Sequence, residues 1–156
     1  MTGWRIGWTV APAHVTKAMN SIQGQQTGCP GSVSQAAAVA AMDGPQDCVA
    51  EMRTAFAKRR QLVIDRLAEI PGVKLPEPDG AFYAFFDVSA HFGKEIGGVN
   101  VTDSLTFCQA LLESSHVNLV PGAAFGAEGY VRMSYAAATE EIEEGLRRLK
   151  HAVEGG

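Results

Sequence analysis

Two arginines, each set in a short alternating segment, are the groups in this sequence best suited to grip an anion. In Trp4-Arg5-Ile6-Gly7-Trp8-Thr9-Val10 the apolar residues Trp4, Ile6, Trp8 and Val10 alternate with Arg5, Gly7 and Thr9. That is the period of a strand with one buried face, so Arg5 should point away from it, beside two small neighbours. A guanidinium offers a planar fork of donors, and small residues let a phosphate come close. In Tyr130-Val131-Arg132-Met133-Ser134-Tyr135 the second arginine shares a face with Tyr130 and Ser134, opposite Val131 and Met133. A bidentate arginine there would suit a carboxylate. Pattern alone favours the plainer reading at both positions, an arginine on a solvated strand face.

Other polar groups carry less. Gln26 and Thr27, in the Gly-rich stretch from Gly24 to Gly31, read first as a solvated loop. Gly80 reads as a turn before a hydrophobic strand, and Pro121-Gly122 as a strand terminator. Lys58, Arg59 and Arg60 read as a solvated helix face, and Trp4 and Trp8 as core. His14, His91, His116 and His151 are scattered, and none has ligand-like spacing to Cys29, Cys48 or Cys108, so no metal site is expected.

The elements that must position these groups follow from periodicity and breakers. After the strand at the start, Pro12 opens a helical pattern through Val15, Met19 and Ile22, and an alanine-rich helix covers about Ser32 to Met42. Asp43-Gly44-Pro45 is a breaker and the candidate domain boundary, giving segments 1–44 and 45–156. Met52, Phe56, Val63, Leu67 and Ile70 predict a long amphipathic helix that Pro71-Gly72 ends. A strand is expected at 81–88 and a Gly-containing excursion at 91–102. Leu105, Cys108 and Leu112 mark a helix capped by Thr102 or Asp103. Short strands follow at 117–120 and 130–135. The last helix has Thr139 as its cap, acidic residues at its start, basic residues at its end and an apolar stripe of Ile142, Leu146, Leu149 and Val153. The order beyond the boundary, helix-strand-strand-helix-strand-strand-helix, indicates an α/β or α+β domain with helices on one sheet face.

Composition excludes several classes of function. At 156 residues, the chain can bury one real core. A net charge of -4 argues against a nucleic-acid or anionic-membrane surface. No apolar run approaches the roughly 20 residues of a membrane span, and nothing at the N-terminus reads as a cleavable signal. Three cysteines without a CxxC pair favour reduced thiols in a cytoplasmic protein.

The two arginine segments together resemble the class I/II aminotransferases, fold-type I enzymes that use pyridoxal 5'-phosphate. Met1-Thr2-Gly3-Trp4-Arg5-Ile6-Gly7 is similar to the second half of that family's cofactor motif. Val131-Arg132-Met133-Ser134-Tyr135 is similar to its C-terminal V-R-x-S-[YF] strand. Asp79-Gly80-Ala81-Phe82-Tyr83-Ala84-Phe85 resembles P-x-G-A-F-Y-x-F, and Val120-Pro121-Gly122-Ala123-Ala124-Phe125-Gly126 resembles V-P-G-x-x-F-G. The resemblance covers nearly the whole chain. It implies an α/β fold, the C-terminal part of a PLP-dependent transferase: the end of the large cofactor-binding domain in 1–44 and an α+β small domain in 45–156.

On that resemblance Arg5 grips the cofactor phosphate and Arg132 pairs with the substrate α-carboxylate. Gln26 and Thr27 would lie near the interface of a homodimer. The Schiff-base lysine belongs four residues before Met1, and none of Lys17, Lys58, Lys74, Lys94 or Lys150 occupies its place. The family's aspartate partner of the pyridine nitrogen and its stacking aromatic also lie upstream. The segment therefore holds no catalytic residue and should be inert alone, with 1–44 packing poorly by itself. The intact enzyme would exchange an amino group between an amino acid, aspartate being one choice, and a 2-oxo acid. A carbon–sulfur lyase, an aminocyclopropane-carboxylate synthase, the aminotransferase-like effector domain of a transcription regulator and an independent carboxylate-binding module stay open as alternatives.

Overall fold

The computed structural model describes residues 2–155, without the side chain of Thr2, and the chain divides into two compact units, 1–49 and 50–156. The first unit is helical. A 3₁₀ turn at Thr2–Trp4 leads into chain without regular structure, then α1 (Ala13–Gln26) and α2 (Ser32–Asp43). Pro12 sits at the N-cap of α1, where its missing amide donor goes unneeded, and Gly44 closes α2 by donating to the carbonyl of Ala40. The expected strand at 4–10 is not formed: no described strand pairs with it, and without a partner there is no ladder to hold it extended. Nor are its tryptophans core. Trp4 is 52% and Trp8 69% exposed. Helix α1 also runs further than expected, taking in Gly24 to Gln26.

In the second unit, α3 (Asp47–Ala68) begins just before the unit boundary and is followed by β1 (Tyr83–Asp87), β2 (Glu95–Ile96) and β3 (Val99–Asn100). Then come α4 (Ser104–Ser115), β4 (Val120–Pro121), β5 (Tyr130–Ser134) and α5 (Thr139–Val153). The strands β1, β5 and β4 form an antiparallel sheet in the order β1-β5-β4, with β5 in the middle. β2 and β3 form a separate hairpin inside the excursion that sequence left undivided. Of the expected strand at 117–120, only Val120 joins the ladder, together with Pro121.

One face of the sheet is core. Ala84 and Phe86 on β1 and Val131 on β5 are fully buried, and Val63, Leu67, Phe107, Leu111, Leu146 and Leu149 from the helices belong to the same cluster. Alternation along both strands puts Tyr83, Phe85, Tyr130 and Arg132 on the opposite, half-buried face. Helix α4 departs from its predicted stripe. Leu105 is 60% and Leu112 49% exposed, while Ser104, Phe107, Cys108, Ala110 and Leu111 are buried. Asp103 caps it, accepting from the Thr106 amide at 2.8 Å. Helix α5 is capped one residue before Thr139, at Ala138, whose amide donates to the Glu141 carboxylate. Its stripe is buried as Ile142, Leu146, Leu149 and Ala152, with Val153 only half-buried.

Candidate functional site

Arg132 stands at the middle of the central strand, paired across the ladder with Phe85 on one side and Val120 on the other. Both neighbours hold its backbone, so the direction of its side chain is set by the pleat. On the half-buried sheet face its guanidinium lies 4.3 Å from the ring centre of Tyr83 and 4.5 Å from that of Phe125. Both distances are well within the roughly 6 Å over which a cation is attracted to a ring face. Phe85 stacks on Tyr130 at 5.1 Å and meets Phe125 edge-on at 6.0 Å, completing an aromatic surface around the cation.

No acceptor among the described residues takes a hydrogen bond or ion pair from Arg132. The acid nearest in register, Asp87 opposite Tyr130, accepts from the Ser89 amide at 2.8 Å instead. The hydrogen bonds of Ser89 hold that carboxyl below its usual range. A cation with its donors unspent, on a water-accessible face beside apolar rings, can bind a carboxylate edge to edge.

Two loops supply the surroundings. Before β1, Ala81 adopts a left-handed backbone (φ 61°), and its carbonyl accepts from the Tyr135 hydroxyl at 3.0 Å. Left-handed alanine costs about 1–2 kcal/mol, a strain that this bond and the neighbouring Tyr135 amide to Phe82 carbonyl bond help to hold. After β4, the turn at Gly122–Phe125 carries Phe125. A Cβ at Gly122 would fall 2.1 Å from the Ala127 carbonyl oxygen and 2.3 Å from that of Tyr130, so only glycine fits. Sequence reading marked both loops but not the contact of Tyr83 and Phe125 with Arg132. The signal available was the shared parity of Tyr83, Phe85 and, on the partner strand, Arg132.

Arg5 belongs to the other unit. It has a left-handed backbone (φ 52°) and lines an open cavity of about 580 Å³ with Gly7, Thr9, Asn20 and Gln23. Gly7 has open space where a Cβ would stand, so an oxyanion could approach its backbone. The residues expected to flank Arg5 thus do so around a cavity, although they are not on a strand. Met1, the first residue of the motif, lies outside the described residues. Gln26 ends α1 and Thr27 caps it, accepting a hydrogen bond from the Gln23 amide group. Among the described residues no three His, Cys, Asp or Glu side chains gather as metal ligands, and no helix is long and apolar enough to cross a membrane.

Known proteins match this chain along nearly its whole length. The sequence model of the family "Aminotransferase class I and II" matches residues 1–149. The aspartate aminotransferase of Streptomyces avermitilis is 46% identical over 150 residues, covering 96% of this chain and 37% of that protein. The aspartate/prephenate aminotransferase of Cereibacter sphaeroides is 46% identical over 151 residues, covering 96% of this chain and 38% of that protein. The chain therefore spans little more than a third of the length of these relatives. The crystal structure of the aspartate aminotransferase from Rhizobium meliloti superimposes with a TM-score of 0.88 at 43% identity, over 99% of this chain and 39% of that one. The fold is accordingly that of a pyridoxal-phosphate-dependent transferase, and the chain belongs to the class I and II aminotransferases.

Proposed function

We propose that this chain is the C-terminal portion of a pyridoxal-phosphate-dependent aminotransferase that exchanges an amino group between an amino acid and a 2-oxo acid. Aspartate is the amino donor that the names of its relatives favour. Residues 1–44 complete the large cofactor-binding domain and 45–156 form the small domain. The intact protein works as a homodimer in this reading. The observation that carries it is Arg132: a guanidinium among aromatic rings on a half-buried sheet face, with no carboxylate of its own among the described residues.

Every amino acid and 2-oxo acid in such a cycle presents a carboxylate next to the reacting carbon. Arg132 binds that group through two parallel N–H bonds, fixing the substrate at one end. Arg5, with the open backbone at Gly7, suits the cofactor phosphate, whose charge the guanidinium balances. Bound pyridoxal phosphate supplies the electron sink that amino-group exchange needs. None of Lys17, Lys58, Lys74, Lys94 or Lys150 fits the cofactor-bonding position of the family motif, so this chain alone should neither form a one-to-one lysine-bound cofactor nor turn over substrate. Absorbance spectroscopy with peptide mapping tests this, and stoichiometric attachment to one of those five lysines would overturn it.

The two arginines are separated by a pair of variants in the full-length enzyme. Arg132→Lys keeps the charge and loses the fork, so at best one bond survives. A charge-assisted bond is worth about 1.5 to 3 kcal/mol, or roughly ten- to hundredfold in kcat/KM for amino donor and 2-oxo acid together. Cofactor retention should hold. Arg5→Ala should do the reverse and lose cofactor first. If Arg132→Lys releases cofactor and leaves substrate kinetics intact, the roles are wrongly assigned.

A further inference from the structure

We infer that Tyr83 and Phe125 are positioning residues that hold the guanidinium of Arg132 in its binding orientation, an inference that rests on reading Arg132 as the carboxylate ligand. A strand fixes the arginine only as far as its Cβ. Beyond that the side chain has several free torsions, and on an open sheet face they would have to be frozen anew at each binding event. Here the guanidinium is in contact with two rings, at 4.3 Å and 4.5 Å, and no ion pair among the described residues pulls it elsewhere. A contact with a ring face draws on the positive charge without using the N–H donors, which remain for a carboxylate.

Both rings have contacts of their own, Phe125 meeting Phe85 edge-on at 6.0 Å although it is 48% exposed. Tyr83 is diagonal to Arg132 in the β1–β5 register and packs on Phe82 at 4.4 Å. Phe125 rides on a turn closed by the Gly126 amide to Ala123 carbonyl and Ala127 amide to Gly122 carbonyl bonds, at 3.1 and 3.0 Å. That turn is tied to the start of α4. The fully buried Ser104 accepts from the Ala123 amide at 3.2 Å through its hydroxyl, and its own amide donates to Glu128 at 2.7 Å. The chain of contacts runs from the helix start through the turn to Phe125 and ends at the guanidinium. A binding group held ready in this way loses less freedom when substrate arrives.

The test uses the full-length enzyme in steady state and the 156-residue chain by NMR. Phe125→Leu and Tyr83→Leu should each raise KM for amino donor and 2-oxo acid alike by about two- to fivefold, the range expected for one cation–ring contact, with kcat much less affected. Phe125→Tyr and Tyr83→Phe, which give back a ring, should recover the lost affinity. In the chain, the Arg132 δ-protons should resonate upfield through the ring currents and move toward random-coil positions in each leucine variant. If the leucine variants leave KM and the δ-proton shifts unchanged while Arg132→Lys weakens both substrates, the positioning role is wrong and the carboxylate role stands. If KM rises but the ring-bearing variants do not restore it, the positioning role is also overturned. If Arg132→Lys affects neither substrate, both readings fall.

Discussion

His91 carries chemistry that the candidate site does not use. It is 2% exposed, neither ring nitrogen has a well-formed hydrogen bond, and its ring lies 5.9 Å from that of Phe107. Burial, and after it the charge of Lys94, push its pKa below 6.5, against a smaller opposing effect of the Pro71 backbone. The neutral form is therefore the folded form, and the unfolded chain takes up a proton first. Stability from this group is complete above pH 6.5 and falls as the pH drops through that value toward the lower folded pKa. Carboxylates such as Glu144, held down to about 2 chiefly by Arg147 and then Arg148, lose their contribution only at more acid pH. Urea midpoints between pH 8 and 5 should slope downward in the native chain and flatten in His91→Phe; an unchanged slope would assign it to another group. Gly122 makes a second prediction at this scale. The clashing atoms in Gly122→Ala are backbone oxygens that cannot step aside, so the loss should be at least the 1–3 kcal/mol or so of ordinary overpacking. A urea midpoint measures it, and a near-neutral result would mean that the 122–130 turn is looser than described.

Helix α4 shows how far an element can be read from its residue types. Its existence was legible, and its cap was narrowed to Thr102 or Asp103, of which the second is used, because capping and periodicity are local. Its orientation was not. Two apolar rows cross this helix, and the row chosen from sequence, Leu105, Cys108 and Leu112, competes with Phe107, Ala110 and Leu111, one step round. Only the shape of the neighbouring sheet and hairpin decides between them, and it selects the second row with Cys108 beside it, leaving Leu105 and Leu112 exposed. Leu111→Ala should thus cost about 2–5 kcal/mol, as for other buried leucines. Leu105→Ala should stay within about 0.5 kcal/mol of the native chain, as surface changes do. Comparable losses from the two would restore the face read from sequence. The same limit applies at Arg132. Alternation put it on the right face with Tyr130, but the rings that reach it come from elsewhere: Tyr83 from a strand far back in the sequence, and Phe125 from the turn that precedes β5. Pairing across a sheet is written in register, not in local pattern, and single-sequence reasoning does not fix register.

For the whole molecule, the distribution of burial predicts uneven stability. Every buried residue in the core cluster lies between Val63 and Ala152, and no residue from 3 to 62 is buried. Along 1–49, Trp8, Val10, Ile22, Val33, Val39 and Met42 are each at least 60% exposed. Helices α1 and α2, of 14 and 12 residues, bury nothing, and isolated helices of that length are marginal in water. The alternation of Trp4, Ile6, Trp8 and Val10 remains the pattern of a strand that needs neighbours on both edges. In the full-length aminotransferase proposed above, this apolar surface would be covered. For the chain alone, residues 1–49 should open at far lower free energy than 50–156, since local stability follows buried apolar contact. Limited proteolysis should cut first near Asp43-Gly44-Pro45, and amides in α1 and α2 should exchange well before those of β1 and β5. Trp8 should emit at the wavelength of a solvated indole in the chain and shift to the blue in the full-length protein. If α1 and α2 in a verified monomer exchange as slowly as the central strands, the two units share one cooperative transition and the uneven-stability picture is wrong.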